Sequence, residues 1–240
     1  MSFEFTKENI NDYFKELGKE FRKLNGTKMH AEIVLIGGGS VLANYGFRDI
    51  TTDMDAIIRS TSVMKEAISR VADKYSLPHD WLNEGFKSTE SYSDRLEEIS
   101  IHYKTFSNIL EIRTVAAQYL IAMKLMSGRQ YKNDLSDIVG ILWEHKKRNN
   151  PLTRDVIEDA VHKLYSKKSI PKISEDLLDE IFGEEDLEAA YLRFRDSEKE
   201  AKELLLIFDK ENPGELSGES INNIIETMRK REGTNNANNS

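Results

Sequence analysis

The chain has 240 residues, of which 39% are hydrophobic and 32% are charged, a balance typical of a globular protein with charged helical surfaces. No run of uncharged apolar residues approaches the roughly 18 that a transmembrane helix needs, so we expect no membrane span. The lack of cysteine excludes disulfides, thiolate metal sites and cysteine nucleophiles, and it fits a cytoplasmic protein. The net charge of −8 argues against non-specific nucleic-acid binding.

The first half of the chain alternates helical and strand patterns. Apolar residues at helical spacing predict an amphipathic helix over 7–25, and the short apolar run 31–36, which ends in glycines, predicts a buried strand. A second strand is predicted over 53–58. The other predicted elements are helices over 40–45 and 63–75, a loop over 76–93, and a hairpin of strands over 100–106 and 109–115.

The second half of the chain carries helical patterns only. Two apolar helices are predicted over 118–127 and 135–145. Further helices are predicted over 152–166, 174–182, 185–209 and 219–231. This order indicates an α/β fold with a small mixed sheet and flanking helices, followed by an α-helical region. We predict a domain over 1–148, a helical domain over 149–231 and, because its composition is polar and simple, a disordered tail over 232–240.

A glycine loop is the first half of the most informative pattern in the chain. Gly37, Gly38 and Gly39 follow the first predicted strand, and Ser40 begins the next helix. Glycines let backbone N–H groups approach a phosphate closely, and a helix N-terminus favours an anion. We therefore expect these four residues to hold the β- and γ-phosphates of a nucleotide, whereas glycines of this kind in isolation are usually only a turn.

A pair of acids is the second half of the pattern. Asp53 and Asp55 are spaced i, i+2 on the second predicted strand, so their side chains point to the same face. Two carboxylates on one face repel each other unless a cation lies between them, and Mg²⁺ or Mn²⁺ bridged to phosphate oxygens is the obvious candidate. The alternative is a pair of surface acids at a strand edge.

Together, these motifs resemble the signature of the DNA polymerase β-like nucleotidyltransferase superfamily, in which a Gly-Gly or Gly-Ser pair precedes Asp-x-Asp on the next strand. Segments 48–55, 81–83 and 119–137 are similar to those of the bacterial group that includes the AbiEii and MenT toxins of type IV toxin–antitoxin systems. The resemblance covers residues 30–142. It implies the minimal nucleotidyltransferase fold, an NTP such as ATP as substrate, and a divalent metal held by the two acids.

The resemblance also implies roles for three further residues. Arg48 would contact phosphate, or hold the loop through a carboxylate. Lys124, the one charge in an otherwise apolar helix, would point to the triphosphate or to the catalytic carboxylates, unless it extends to solvent. No motif marks the third carboxylate of the superfamily, and Glu111 is the best candidate because it is an acid in an apolar strand. The alternative for Glu111 is a solvent-facing position.

Other polar residues near the motifs are more easily interpreted as structural. Asp134 and Asp137 lie in the first turn of a helix, where acids are favoured, and Asp134 is expected to pair with Arg129 or Lys124. Trp81 is expected to pack in the core, with stacking on a base as the alternative.

Charge is unevenly distributed in the helical half. Residues 145–172 carry roughly +5 and residues 175–216 roughly −10. Solvated helix faces explain both segments, and a basic ledge for a polyanionic acceptor such as RNA is the alternative for the first.

The sequence therefore predicts a metal-dependent nucleotidyltransferase that moves an NMP from an NTP to a hydroxyl of RNA, protein or a small molecule. Its site would comprise Asp53, Asp55 and Glu111, with the glycine loop, Arg48 and Lys124 on the nucleotide. A partner-binding module with weak or lost catalysis, such as one half of a toxin–antitoxin pair, is the alternative, and a nuclease that uses the same acids is a third.

Overall fold

The computed structural model describes residues 3–26, 29–59, 62–166, 168–216 and 221–238, with side chains described up to residue 231. The strands are β1 (Phe5–Thr6), β2 (Ala31–Leu35), β3 (Ile50–Thr51), β4 (Ala56–Arg59), β5 (Ser100–Phe106) and β6 (Leu110–Val115). The helices are α1 (Lys7–Asn25), α2 (Gly37–Asn44), α3 (Ser62–Tyr75), α4 (Ala117–Ser127), α5 (Asp134–Lys147), α6 (Arg154–Tyr165), α7 (Lys172–Phe182), α8 (Leu187–Glu211) and α9 (Ile221–Asn238).

The central sheet is mixed and has the strand order β4-β2-β6-β5. Strand β2 pairs antiparallel with β4 and parallel with β6, and β5 and β6 form the predicted hairpin. A separate pair of short strands, β1 and β3, joins Phe5 to Thr51. The predicted α/β fold with a small mixed sheet and a helical C-terminal region is therefore confirmed.

Alternation along β2 divides the apolar core between the two faces of the sheet. Ile33 and Leu35 pack in one cluster with apolar residues of α1 and α3. Val34 and Ile36 pack in a second cluster with α4 and α5. Because successive side chains of a strand point to opposite faces, one short apolar strand serves both layers.

The second cluster continues into the helical region. It includes Ile141 of α5 and also Ile157, Leu177 and Tyr191 of α6, α7 and α8. One apolar core thus extends on both sides of the boundary predicted at residue 148, and the division into two domains stays a prediction.

A side chain of α8 caps the N-terminus of α5. The N-cap residue of α5, Asn133, makes no side-chain capping bond. Instead, the Glu198 carboxyl accepts hydrogen bonds from the backbone N–H groups of Leu135 at 2.8 Å and Ser136 at 3.3 Å, and from the Ser136 hydroxyl at 2.5 Å. The first backbone donors of a helix lack partners inside the helix, so a side chain from elsewhere must satisfy them.

Three elements differ from the sequence prediction. Helix α2 begins at Gly37, so the glycines form its first turn. Strand β4 begins at Ala56 instead of residue 53, because Met54 and Ala56 hydrogen-bond with Asn83 and leave Asp53 before the strand. Helix α9 runs to Asn238, beyond the predicted end at 231 and into the tail predicted to be disordered, of which residues 239–240 lie outside the described residues.

Within the described part of the chain, no helix combines the length and the apolar character that crossing a bilayer requires.

Candidate active site

The glycine loop and the two acids meet at a cavity of about 100 Å³. Gly37 and Gly38 line it from the N-terminus of α2, Asp53 and Asp55 from the segment before β4, and Lys124 from α4. Residues from these three parts of the chain therefore converge at the end of β2, as the sequence predicts for the loop and the acids.

Close packing behind the loop requires a glycine at position 38. A Cβ placed there would lie 2.5 Å from the Thr51 hydroxyl and 3.0 Å from Nη2 of Arg48. Gly37 has a φ of +52°, in the left-handed region that glycine adopts readily. Arg48 donates to the Ile50 carbonyl at 3.0 Å and so supports the same segment.

Ser40 lies behind the loop rather than in the cavity. Its side chain is fully buried, and its hydroxyl accepts a hydrogen bond of 3.1 Å from the backbone N–H of Val115. The hydroxyl thus joins α2 to the end of β6. Its predicted contact with a phosphate stays a prediction that this geometry does not favour.

Asp53 and Asp55 occupy different environments. Asp53 is exposed and Asp55 is half-buried. Burial, reinforced by the negative charge of Asp53, raises the pKa of Asp55, while Arg129 and Lys132 act in the opposite direction. A carboxylate that is costly to ionise beside a second carboxylate is an electrostatic setting that a cation stabilises.

Lys124 is buried and locked between two carboxylates of α5. Its Nζ lies 3.1 Å from Asp134 and 2.6 Å from Asp137. Burial by itself would lower the pKa of Lys124, but the two carboxylates outweigh it and raise that pKa. The predicted pairing of Asp134 is confirmed, both with Lys124 and with Arg129.

Two arginines extend this cluster into a chain of alternating charges. Arg48 pairs with Asp137, and Arg129 pairs with Asp134 at 2.8 Å. We call Arg48, Lys124, Arg129, Asp134 and Asp137 the charge chain. Its three cations and two anions leave one net positive charge beside Asp53 and Asp55, while each of its members has a partner.

Glu111 lies away from the other acids. It is opposite Glu32 in the pairing of β2 and β6, and it forms an ion pair of 2.6 Å with Arg113. At about 3.3 Å per residue, Glu32 is roughly 13 Å along β2 from Ile36, which hydrogen-bonds with Asp55. Among the described residues that line the cavity Glu111 is absent, so its role as third carboxylate stays a prediction that the geometry does not favour.

Trp81 is a core residue, as predicted. It is 2% exposed, its indole N–H donates to the Ile68 carbonyl, and its ring packs against Phe5 and Phe14.

A family model of nucleotidyltransferases of unknown function (DUF6036) matches residues 12–187. The chain belongs to this family. Comparison with curated proteins found no match, and neither did comparison with solved structures. The matched range holds the glycine loop, the two acids and the charge chain, and it continues through α6 and α7.

In this member of the nucleotidyltransferase family, two wider cavities adjoin the first. One of about 320 Å³ extends past Asn83, Phe86 and Thr89. The other, of about 350 Å³, extends past Tyr131 and Lys202. Asp53 and Lys132 line all three spaces, so Asp53 lies where the two wider cavities meet the first.

Sequence reasoning gave no role to Lys132 or Lys202. Lys132 belongs to the segment that resembles the toxin group, so a signal for it was present. Lys202 lies on α8, beyond the matched range, and nothing in its neighbourhood marks it. Within the described ranges, no group of three or more His, Asp or Glu residues is placed to hold a metal.

Proposed function

We propose that the protein transfers a nucleoside monophosphate from an NTP to a hydroxyl, with Mg²⁺ or Mn²⁺ held by Asp53 and Asp55. The observation that carries the proposal is the convergence of both acids with the N-terminus of α2 on one cavity. Membership of a nucleotidyltransferase family supports the reaction type.

The donor set fits a hard divalent cation. Carboxylate oxygens are the ligands that Mg²⁺ prefers, and Mg²⁺ commonly takes only one or two of them and completes its shell with phosphate oxygens and water. The raised pKa of Asp55 also favours a bound cation, because the ionised form of this half-buried carboxylate beside Asp53 is unfavourable without a nearby positive charge. When bound, the cation supplies Lewis-acid stabilisation of the reacting phosphate.

The chain's own residues would bind and orient the triphosphate. Backbone N–H groups at Gly37 and Gly38 would donate to its outer phosphates at the positive end of α2. Arg129, of which 39% of the side chain is exposed, would neutralise further phosphate charge. Lys124 would act through Asp134 and Asp137, by fixing the helix on which both carboxylates lie.

Label transfer tests the proposal. Purified protein would be incubated with Mg²⁺ and each α-labelled NTP, together with total RNA and a protein lysate. We expect a labelled product from the wild type and none from Asp53→Asn or Asp55→Asn. Asp49→Asn removes a nearby exposed acid outside the cavity lining and should retain the product. Full activity in either of the first two variants would overturn the role of the acids.

We also propose, on the resemblance to the toxin group, that the activity belongs to one partner of a toxin–antitoxin pair. Expression in a bacterial host should then arrest growth, and Asp55→Asn should relieve the arrest. Equal growth inhibition by the wild type and by Asp55→Asn would instead favour a partner-binding module without catalysis.

A further inference from the structure

The wider cavity beside α8 has a lining unlike the rest of the site. We call it the Lys202 cavity. It measures about 350 Å³, and its lining includes Thr52, Asp53, Tyr131, Lys132, Asn133 and Lys202. Polar groups, one aromatic ring and two lysines thus surround a space that reaches Asp53.

Its position separates it from the space beside Asn83 and Phe86. The two wide cavities share only Asp53 and Lys132 among the residues that line them. Gly37, which begins the phosphate-binding helix, lines the Asn83 side and not the Lys202 cavity, within the part of the chain that is described. A nucleotide on the Gly37 side would therefore leave the Lys202 cavity open to a second substrate that reaches the same acid.

Two lysines of this cavity form no ion pair in the described part of the chain. Lys132 and Lys202 are exposed, and neither takes part in an ion pair with any described residue. By contrast, Arg48, which also lines the cavity, is bound to Asp137. Cations that line one space without ion-pair partners raise the positive potential there and favour the binding of an anion.

Among the described residues, the basic segment 145–172 supplies no comparable pair of cations to this cavity. Its cations are largely engaged, Lys147 and Arg148 with Glu144, Arg154 with Glu158, and Lys168 with Glu90. Lys167 lies outside the described residues. The cations near Asp53 that form no ion pair with a described residue are instead Lys132 and Lys202. Lys202 belongs to the acidic segment 175–216.

We propose that the Lys202 cavity binds the acceptor, and that the acceptor carries a phosphate next to its reactive hydroxyl. Lys132 and Lys202 would hold that phosphate, and Tyr131 would contact the adjoining sugar or base. The phosphate comes from a small phosphorylated compound or from the end of a nucleic-acid strand. This inference rests on the proposed nucleotidyl transfer and assigns its second substrate.

The transfer balances with these two substrates alone. The acceptor hydroxyl oxygen forms a bond to the α-phosphorus, and the bond from that phosphorus to the bridging oxygen of the β-phosphate breaks. Pyrophosphate leaves with the bonding pair, and the hydroxyl proton passes to water in the open cavity. Lys202 orients the acceptor and takes no part in bond making.

Binding measurements separate this inference from turnover. The nucleotide side would be filled with Mg²⁺ and α,β-methylene-ATP, and binding of that analogue would be measured first. One arm follows the fluorescence anisotropy of a 5′-fluorescein RNA hexamer with a free 3′-hydroxyl. The other arm titrates AMP, with adenosine as the uncharged control, by ligand-observed NMR. Each is repeated with Lys202→Gln and with Lys210→Gln.

Lys210 is the matched control, because it lies on the same helix about 12 Å along the axis and outside the lining. We expect Lys202→Gln to lower the affinity for the phosphate-bearing probes about fivefold and Lys210→Gln to leave that affinity unchanged. Adenosine is expected not to bind. For the hexamer, the plot of log K against log salt concentration should also become shallower in Lys202→Gln, with the magnitude of its slope reduced by about 0.7.

The arms identify the source of the phosphate. Binding of the hexamer alone points to a strand end, binding of AMP alone to a small compound, and binding of both to recognition of the phosphate itself. Equal affinities in the two variants, or no binding of either probe, would overturn the inference. If the analogue still binds in that case, the proposed nucleotidyl transfer stands, whereas failure of the analogue to bind counts against the transfer itself.

Discussion

At the level of single residues, Gly38 shows how little space is left behind the glycine loop. The position of a Cβ there is taken by the Thr51 hydroxyl and the Arg48 guanidinium, two groups that hold the segment leading to Asp53. One added carbon atom at Gly38 would therefore displace the segment that positions Asp53.

Replacing Gly38 with alanine should damage both stability and nucleotide binding. The new methyl group would displace Thr51 or Arg48, and overpacking of this kind typically costs about 1–3 kcal/mol. Thermal unfolding and titration with an NTP analogue would measure the two effects. Gly46→Ala is the control, because a Cβ at Gly46 meets nothing within 4 Å. If both variants behave alike, the close packing at Gly38 has no energetic consequence.

Replacing Lys124 with methionine should mainly destabilise the fold. Asp134 and Asp137, each 2% exposed, would lose the cation that lies between them, and breaking a buried pair costs about 3–5 kcal/mol. Urea unfolding would measure the loss. Lys147→Met, at an exposed position of α5, should change stability by less than about 0.5 kcal/mol. A large loss of NTP affinity with unchanged stability would instead indicate direct contact between Lys124 and the nucleotide.

At the level of elements, Ser40 connects α2 to β6. Its replacement by alanine would leave the buried N–H of Val115 without a partner, at a cost of about 1–3 kcal/mol. We expect lower stability and nearly unchanged NTP affinity once the protein is folded, measured by urea unfolding and calorimetry. The opposite result, lower affinity at full stability, would restore the phosphate contact predicted from the sequence. Ser88→Ala, on an exposed turn, serves as the control.

Elements with strong periodicity were predictable from the sequence. Helix α1 begins and ends where its apolar spacing and capping signals indicate, and the β5–β6 hairpin matches its predicted strands closely. The short strands β1 and β3 were not predicted, because a two-residue strand carries no detectable alternation. The start of β4 was wrong because pairing with the distant Asn83, invisible in local sequence, decides it.

The site was predictable where a motif marks it. The glycine loop, Asp53 and Asp55 lie together as expected, and so does the pairing of Asp134 with Lys124. Glu111 was predicted only because it is an acid in an apolar strand, and the register pairs it with Glu32, away from the end of β2 at which the two Asp residues lie, so its role stays a prediction. Lys202 was not predictable, because only the packing of α8 against α5 brings it to the cavity that Asp53 lines.

At the level of the whole molecule, Glu198 links the helical region to the start of α5. It is 2% exposed, and burial raises its pKa to about 8, despite the hydrogen bonds from Ser136 and Leu135. A raised pKa in the folded state means that this group's contribution to stability is complete below the unfolded value of 4.5 and declines as pH rises toward 8.

Replacing Glu198 with glutamine should remove this pH dependence. The amide can still accept from the N–H of Leu135 and donate to the Ser136 hydroxyl, but it cannot ionise. The stability difference between variant and wild type should shift in favour of the variant by about 3 kcal/mol between pH 5.5 and pH 8. Urea unfolding at both values measures it, with the exposed Glu203→Gln as control. A constant difference would mean that Glu198 does not titrate in this range.

The pairing of β1 with β3 has a practical consequence for anyone who handles this protein. Phe5 lies opposite Thr51, only two residues before Asp53, so β1, near the start of the chain, is structurally part of the segment that leads to Asp53. A bulky fusion partner attached at that end, or a deletion through residue 6, would loosen the segment that presents the acids. Affinity tags, immobilisation handles and reporter fusions therefore belong at the opposite end of the chain, and a loss of activity after N-terminal engineering should not be mistaken for a missing cofactor.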